Sequence, residues 1–159
     1  MPVAKISYPV LRIGEVSLPG HIDIKVYGPW IPVSISALNQ LDKNKEPVTV
    51  EGAALIDTGA TYTCIDDCVC SQLDLQLSSG KIEMNGIGGQ AECLCYPVQV
   101  QFAIKDFNIP PLPVYRAPNV KLHSISTVSG SLIALIGRDL LAHFKFTYDG
   151  RRGSIEIAY

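Results

Sequence analysis

An aspartate, a hydroxyl and a glycine stand in succession at Asp57-Thr58-Gly59, directly after the apolar run Ala53-Ala54-Leu55-Ile56. The run reads as a buried strand, and Gly59 permits a tight turn that a side chain would obstruct. Asp57 is thereby delivered to the mouth of a turn with apolar walls behind it. A carboxylate there must be hydrogen-bonded, paired or protonated, because desolvation disfavours its charge. Taken alone, the triplet also fits an Asx-turn closing a hairpin. The chemistry open to it is acid–base work on a water molecule, in which one carboxylate takes the proton and a second, protonated, donates a hydrogen bond to the group attacked. Two such groups at close range share a proton, since both cannot ionise. The chain carries a single Asp-Thr-Gly, so the pair requires two copies related by a two-fold axis.

Two further stretches bear on that chemistry. Gly86-Ile87-Gly88-Gly89 lies between two β-forming arms. Glycines there would let backbone approach backbone and would soften a lid over an extended peptide, although a glycine-rich tip alone is also an ordinary loose turn. Leu135-Ile136-Gly137-Arg138-Asp139-Leu140-Leu141 follows a second apolar strand.

These three segments, in this order, resemble the retropepsin family, the dimeric retroviral-type aspartic proteases, over about residues 47–158. The resemblance implies an all-β, closed-barrel acid-protease fold with a flap hairpin and one or two short helices. It also implies a homodimeric aspartic endopeptidase that hydrolyses peptide bonds with water held between Asp57 of two subunits. By the same likeness Asp57 is catalytic, Thr58 braces the pair across the two-fold axis, and the backbone of Gly59 contacts substrate. Gly86, Ile87, Gly88 and Gly89 form the flap and touch substrate, whereas Gly137 and Arg138 are structural. Gly137 is expected to lie where a strand passes close behind the active turn. Retroviral enzymes pair this arginine with an acidic residue two positions past the active-site glycine. Thr61 stands there instead, so Arg138 is expected to take another partner, and Asp139 replaces their asparagine. The Arg151-Arg152 hairpin and an N-terminal β extension over 1–46 have no retroviral equivalent. A peptide-binding or dimerisation module of the same fold, without turnover, is the alternative reading.

The rest of the composition narrows the partners. At 159 residues the chain fits one domain with a sizeable core, and a net charge of −2 gives no case for nucleic acid or an anionic membrane. Uninterrupted apolar runs are far shorter than the roughly 20 residues a membrane span needs. Lys5 and Arg12 break up the N-terminal apolar residues, so no secretory segment is expected and the location expected is cytoplasmic. No cofactor and no metal are expected. The five cysteines, Cys64, Cys68, Cys70, Cys93 and Cys95, are odd in number and form C-x-C pairs rather than the spacing of zinc or redox motifs. Reduced, mostly buried thiols are expected, with a thiol- or metal-dependent role for Cys93 and Cys95 as the rival. His21, His123 and His143 show no ligand spacing.

Positioning Asp57 falls to the strands around it. β-formers predict strands in 3–13 and 21–27 and over Val33–Ser36, with a turn at 15–20, a break at 27–32 and a solvated loop over 38–47. A strand from Val48 runs into Asp57, and Tyr62–Ile65 returns beside it. Asp66 predicts a helix N-cap for about 67–73. Lys81–Met84 and Ala91–Ile104 form a long hairpin. Pro110-Pro111-Leu112-Pro113 is excluded from a central strand, with brief pairing after it at Val114–Arg116. Residues 119–131 read as turn-prone. Leu132–Ile136 is a second buried strand, Arg138–His143 a helical turn or two, and 144–148 with 154–159 a terminal hairpin.

Overall fold

The computed structural model describes residues 3–7, 11–13, 16–18, 24–25, 28–37, 48–75, 80–86, 89–102, 112–116, 126–127 and 130–158. In chain order the elements are β1 (Val3–Ser7), β2 (Leu11–Ile13), β3 (Val16–Leu18), β4 (Trp30–Ala37), β5 (Thr49–Ile56), β6 (Cys64–Ile65) and α1 (Asp67–Gln72). There follow β7 (Lys81–Gly86), β8 (Gly89–Phe102), β9 (Leu112–Arg116), β10 (Ser126–Thr127), β11 (Gly130–Ile136), α2 (Arg138–Leu141), β12 (Lys145–Asp149) and β13 (Ser154–Ala158). The chain is mostly β with two short helices among the described residues, as the fold class predicts.

The strand pairings return on themselves. β11 pairs with β5, β5 with β4, β4 with β8, β8 with β9, β9 with β6, and β6 again with β11. This circuit is the closed barrel, and it removes sheet edges around the core. β7 and β8 extend from it as the long hairpin, and a separate sheet has the order β1-β13-β12. Ile31, Val33, Ile35, Ile65, Ile136 and Leu140 are almost completely buried in one cluster. Each such side chain contributes about 1.5–3 kcal/mol through burial.

β5 changes character along its length. Its first half, Thr49–Gly52, is exposed or half-buried, whereas Ala53, Ala54 and Ile56 are buried. β11 lies parallel to it, and one extra residue near Ile133 shifts the register so that Ile136 ends opposite Ile56. Two parallel strands therefore stop at the same level, with Asp57 and Gly137 as the residues that leave them.

Several local expectations are corrected. Val16–Leu18, within the turn predicted at 15–20, is a strand paired with β2, and Glu15, Pro19 and Gly20 lie outside the described residues. Ile24 and Lys25 are helical, not extended, with Ile24 buried and Lys25 exposed; a period-two pattern this short does not separate the two states. Of the break predicted at 27–32, Gly28 and Pro29 stand outside any strand, Trp30–Pro32 already belong to β4, and Tyr27 lies outside the described residues. At Pro32 the strand has β5 on one side, while its pairing with β8 begins only at Val33. A missing N–H costs no ladder bond at such an edge. Pro113 lies inside β9 for the same reason: it faces Pro97 of β8, and the pairing of β9 with β6 begins at Tyr115. Ser126–Thr127 pairs with the start of β11, where a turn-prone stretch is predicted. The loop predicted over 38–47 lies outside the described residues.

Candidate active site

The turn after β5 places Asp57. Its backbone N–H donates to the carbonyl of Ile136 (3.0 Å), which fastens the end of β5 to the end of β11. Its carbonyl accepts from Ala60 N–H (3.1 Å), closing the turn, and its Oδ1 accepts from Gly59 N–H (2.8 Å). A Cβ built on Gly59 would lie 3.0 Å from the same Oδ1. A side chain at this position would press on the carboxylate, which would have to shift by a few tenths of an ångström. The other carboxylate oxygen of Asp57 and the exposed hydroxyl of Thr58 have no hydrogen-bond partner among the described residues. Both the Asx-type bond and the delivery of a carboxylate to a strand end are therefore present.

From Ala60 the chain crosses the end of β11 and comes back as β6 on the far side, antiparallel to β11. The crossing is tight. A Cβ on Gly137 would collide with the carbonyl group of Tyr62, which is the close approach expected for this glycine. The buried amide of Gly137 donates to Thr63 Oγ (3.1 Å). Thr63, fully buried, donates its hydroxyl to Asp139 Oδ1 (2.7 Å) and its N–H to Asp139 Oδ2 (2.9 Å). Asp139 Oδ1 also accepts from Leu140 N–H (2.8 Å). Every polar atom of Thr63 that leaves solvent thus finds a partner, since its carbonyl accepts from Tyr115 N–H (3.1 Å).

Arg138 finds the partner that the sequence leaves open. Its Nη1 donates to the carbonyls of Thr58 (2.8 Å) and Gly59 (3.0 Å), and its Nη2 to Thr61 Oγ (2.8 Å). The backbone of α2 adds two bonds, Arg138 N–H to Ala60 O and Asp139 N–H to Thr61 O. The missing acidic residue is replaced by a hydroxyl and two carbonyls. Sequence reasoning missed Thr63 and Asp139 as positioning residues. An acidic residue in the first turn of a short helix was the available signal, and its partner lies far away in sequence.

The hairpin tip is partly described. Gly86 and Gly89 face each other at the ends of β7 and β8, and Gly89 has φ +108°, a conformation open to glycine but strained for other residues. Ile87 and Gly88 lie outside the described residues. Along the arms Glu83 faces Glu92, and each carboxylate has a neighbour. Lys81 Nζ lies 2.7 Å from Glu92, and Gln90 Nε2 donates to Glu83 (2.8 Å).

All five cysteines are free thiols, Cys68 half-buried and the rest buried. Asp66 caps α1 by accepting from Cys68 N–H (2.8 Å), as its position predicts. The Cys64 thiol is pushed up to about 12, first by burial and then by Cys93 and Asp139 nearby; Cys68 rises to about 11, again chiefly by burial. Thiols of this kind are poor nucleophiles and metal ligands at neutral pH. Among the described residues no group of three or more His, Cys, Asp or Glu side chains converges as a metal site. Next to the crossing the rings of Tyr62 and Tyr115 pack at 4.8 Å, tilted by 58°.

The family model described as aspartyl protease matches residues 40–149. Among solved structures the chain is similar to EIAV protease complexed with the inhibitor HBY-793, at 22% identity and a TM-score of 0.45, covering 72% of this chain and 86% of that one. No curated protein matches the sequence.

Proposed function

The chain belongs to the aspartyl protease family, and from that premise we propose that it is a homodimeric aspartic endopeptidase in which Asp57 of two subunits activates one water. The observation that carries this reading is the state of Asp57. One carboxylate oxygen is held by Gly59 N–H while the other has no partner among the described residues, at the end of a strand fixed on both sides. One subunit's carboxylate takes a proton from water, and the other, protonated, donates to the scissile carbonyl as the water attacks. The proton then passes to the leaving amine. Thr58, whose exposed hydroxyl has no partner among the described residues, is suited to brace its counterpart across the two-fold axis. The glycine-tipped β7–β8 hairpin is suited to close over an extended peptide bound as a strand.

The test compares wild type with Asp57→Asn for cleavage of an unfolded protein from acidic to neutral pH, alongside sedimentation. Wild type should cleave with a bell-shaped pH profile that belongs to the coupled pair, and its rate should fall faster than in proportion to concentration on dilution. Asp57→Asn should lose cleavage and keep its fold and dimer. Full cleavage by the variant would remove the mechanism. A dimer that binds peptides and never cuts them would assign the site to binding alone.

A further inference from the structure

β12 pairs with β13 so that Asp149 lies opposite Ser154 and Thr147 opposite Glu156. Residues directly opposite, and residues two apart along a strand, share one face of a sheet, so these four side chains stand together. On the other face Ile155 and Ile157 belong to the core and Phe146 packs against it. Arg152 comes from the turn between the strands, and Thr147, Asp149, Arg152, Ser154 and Glu156 line a polar depression of about 170 Å³. Pockets for cofactors and drug-sized ligands run to about 300–1,000 Å³. This one has room for the end of a single side chain.

Two of its oxygens stand without a bond. Ser154 is only 6% exposed, yet its hydroxyl has no hydrogen-bond partner among the described residues. A hydroxyl taken out of bulk water without a partner costs stability, and alanine would fill the place without that cost. Asp149 uses Oδ1 to accept from the amides of Arg151 (3.1 Å) and Arg152 (3.0 Å), which shapes the turn. Its Oδ2 makes no hydrogen bond among the described residues. Arg152 Nε lies 3.7 Å from it, on a side chain that is 80% exposed. Arg152 thus stands beside the place of a cation without filling it.

The lining decides what such a place would hold. Two carboxylates against one guanidinium favour a cation over an anion. A calcium ion takes about six to eight oxygen ligands, and no group of three or more His, Cys, Asp or Glu side chains converges among the described residues. A primary ammonium asks for less, since it carries three N–H donors and no acceptor. Asp149 Oδ2 and the hydroxyls of Ser154 and Thr147 match it one for one, and Glu156 adds negative charge alongside. We propose that this depression binds a primary ammonium group, as carried by a lysine side chain or a free alkylamine, through Asp149, Ser154 and Thr147. The inference does not rest on the peptidase reading, because no residue of the Asp57 turn lines the depression.

The test follows the backbone amides of the full chain by NMR as N-acetyl-lysine methylamide is added, with n-butylamine and N-acetyl-norleucine methylamide in parallel. The lysine probe should shift the amides of Thr147, Ser154 and Glu156 saturably, and the uncharged norleucine probe should leave them in place. Equal affinity for n-butylamine would mark a site for free amines, and a preference for the lysine probe a site for lysine within a chain; both support the ammonium pocket. Ser154→Ala should keep wild-type stability, having no hydrogen bond to lose, and weaken binding of the lysine probe about tenfold, the usual effect of removing a hydrogen bond to a charged group. Glu156→Gln should weaken it as well, whereas Arg152→Ala should strengthen it by removing a rival cation. Asp57→Asn should bind the probe as wild type does, which separates this pocket from the proposed active site. Shifts that are absent, that the norleucine probe matches, or that centre on the Asp57 turn would overturn the site. So would an unchanged affinity in both Ser154→Ala and Glu156→Gln.

Discussion

The crossing beneath Asp57 and the β7–β8 hairpin are both built around glycines that the sequence marks, yet they are held by opposite means. At the crossing, Gly137, Thr63, Arg138 and Asp139 join segments more than seventy residues apart through hydrogen bonds; the Gly137–Thr63 bond is buried and the Thr63–Asp139 bonds are part-buried. In the hairpin, residues close in sequence meet through a regular ladder, with one exposed ion pair and one exposed side-chain hydrogen bond along it. The first arrangement resists displacement because moving Thr63 or Gly137 would leave a buried partner unsatisfied. The second costs little to bend. Under the proposed function the carboxylate that must keep its geometry sits on the first, and the element that would close over the peptide is the second.

Substitutions can break or sharpen this contrast. Gly137→Ala should have the largest effect, since its methyl meets the backbone of Tyr62, which has nowhere to go; a loss above about 3 kcal/mol in urea unfolding is expected. Survival of Gly137→Ala at full stability would mean that the crossing is looser than its distances imply. Thr63→Val keeps the shape but leaves the buried Gly137 amide and one Asp139 oxygen without their hydroxyl, a cost of about 2–3 kcal/mol in the same measurement.

On the hairpin the expected effects are smaller in stability and larger in turnover. Gly89→Val, in a positive-φ conformation, should cost about 1–2 kcal/mol and depress peptide cleavage well beyond that loss of folded protein. Normal turnover together with a large destabilisation would make the tip a packed structural turn. Lys81→Ala removes an exposed ion pair with Glu92 and should change stability by about 0.5 kcal/mol or less, with a difference that shrinks as salt is added.

What the sequence could disclose follows the same division. Local devices were legible. These include the Asp57 turn, the Asp66 cap and both hairpins, each of which is a short-range signal with a mechanism, whereas the need for glycine at 137 was implied by the family resemblance. The Thr63–Asp139 link was not, because nothing local marks a threonine whose acceptor lies across the crossing. Pro32 and Pro113 misled for a related reason. Proline removes a donor, but whether that matters depends on which neighbour a strand has at that residue, and this is a property of the assembled barrel. The tip residues Ile87 and Gly88 lie outside the described structure.

The three hydrogen bonds from the Arg138 side chain all end on uncharged oxygens, those of Thr58, Gly59 and Thr61. A guanidinium–carboxylate fastening at this place would slacken under acid as the carboxylate took up a proton, and added electrolyte would weaken it. Carbonyl and hydroxyl acceptors have no proton to gain in that range, and an ion–dipole contact is less screened than an ion pair. With Thr61 and two carbonyls as its acceptors, the Arg138 strap over the Asp57 turn is indifferent to acidification.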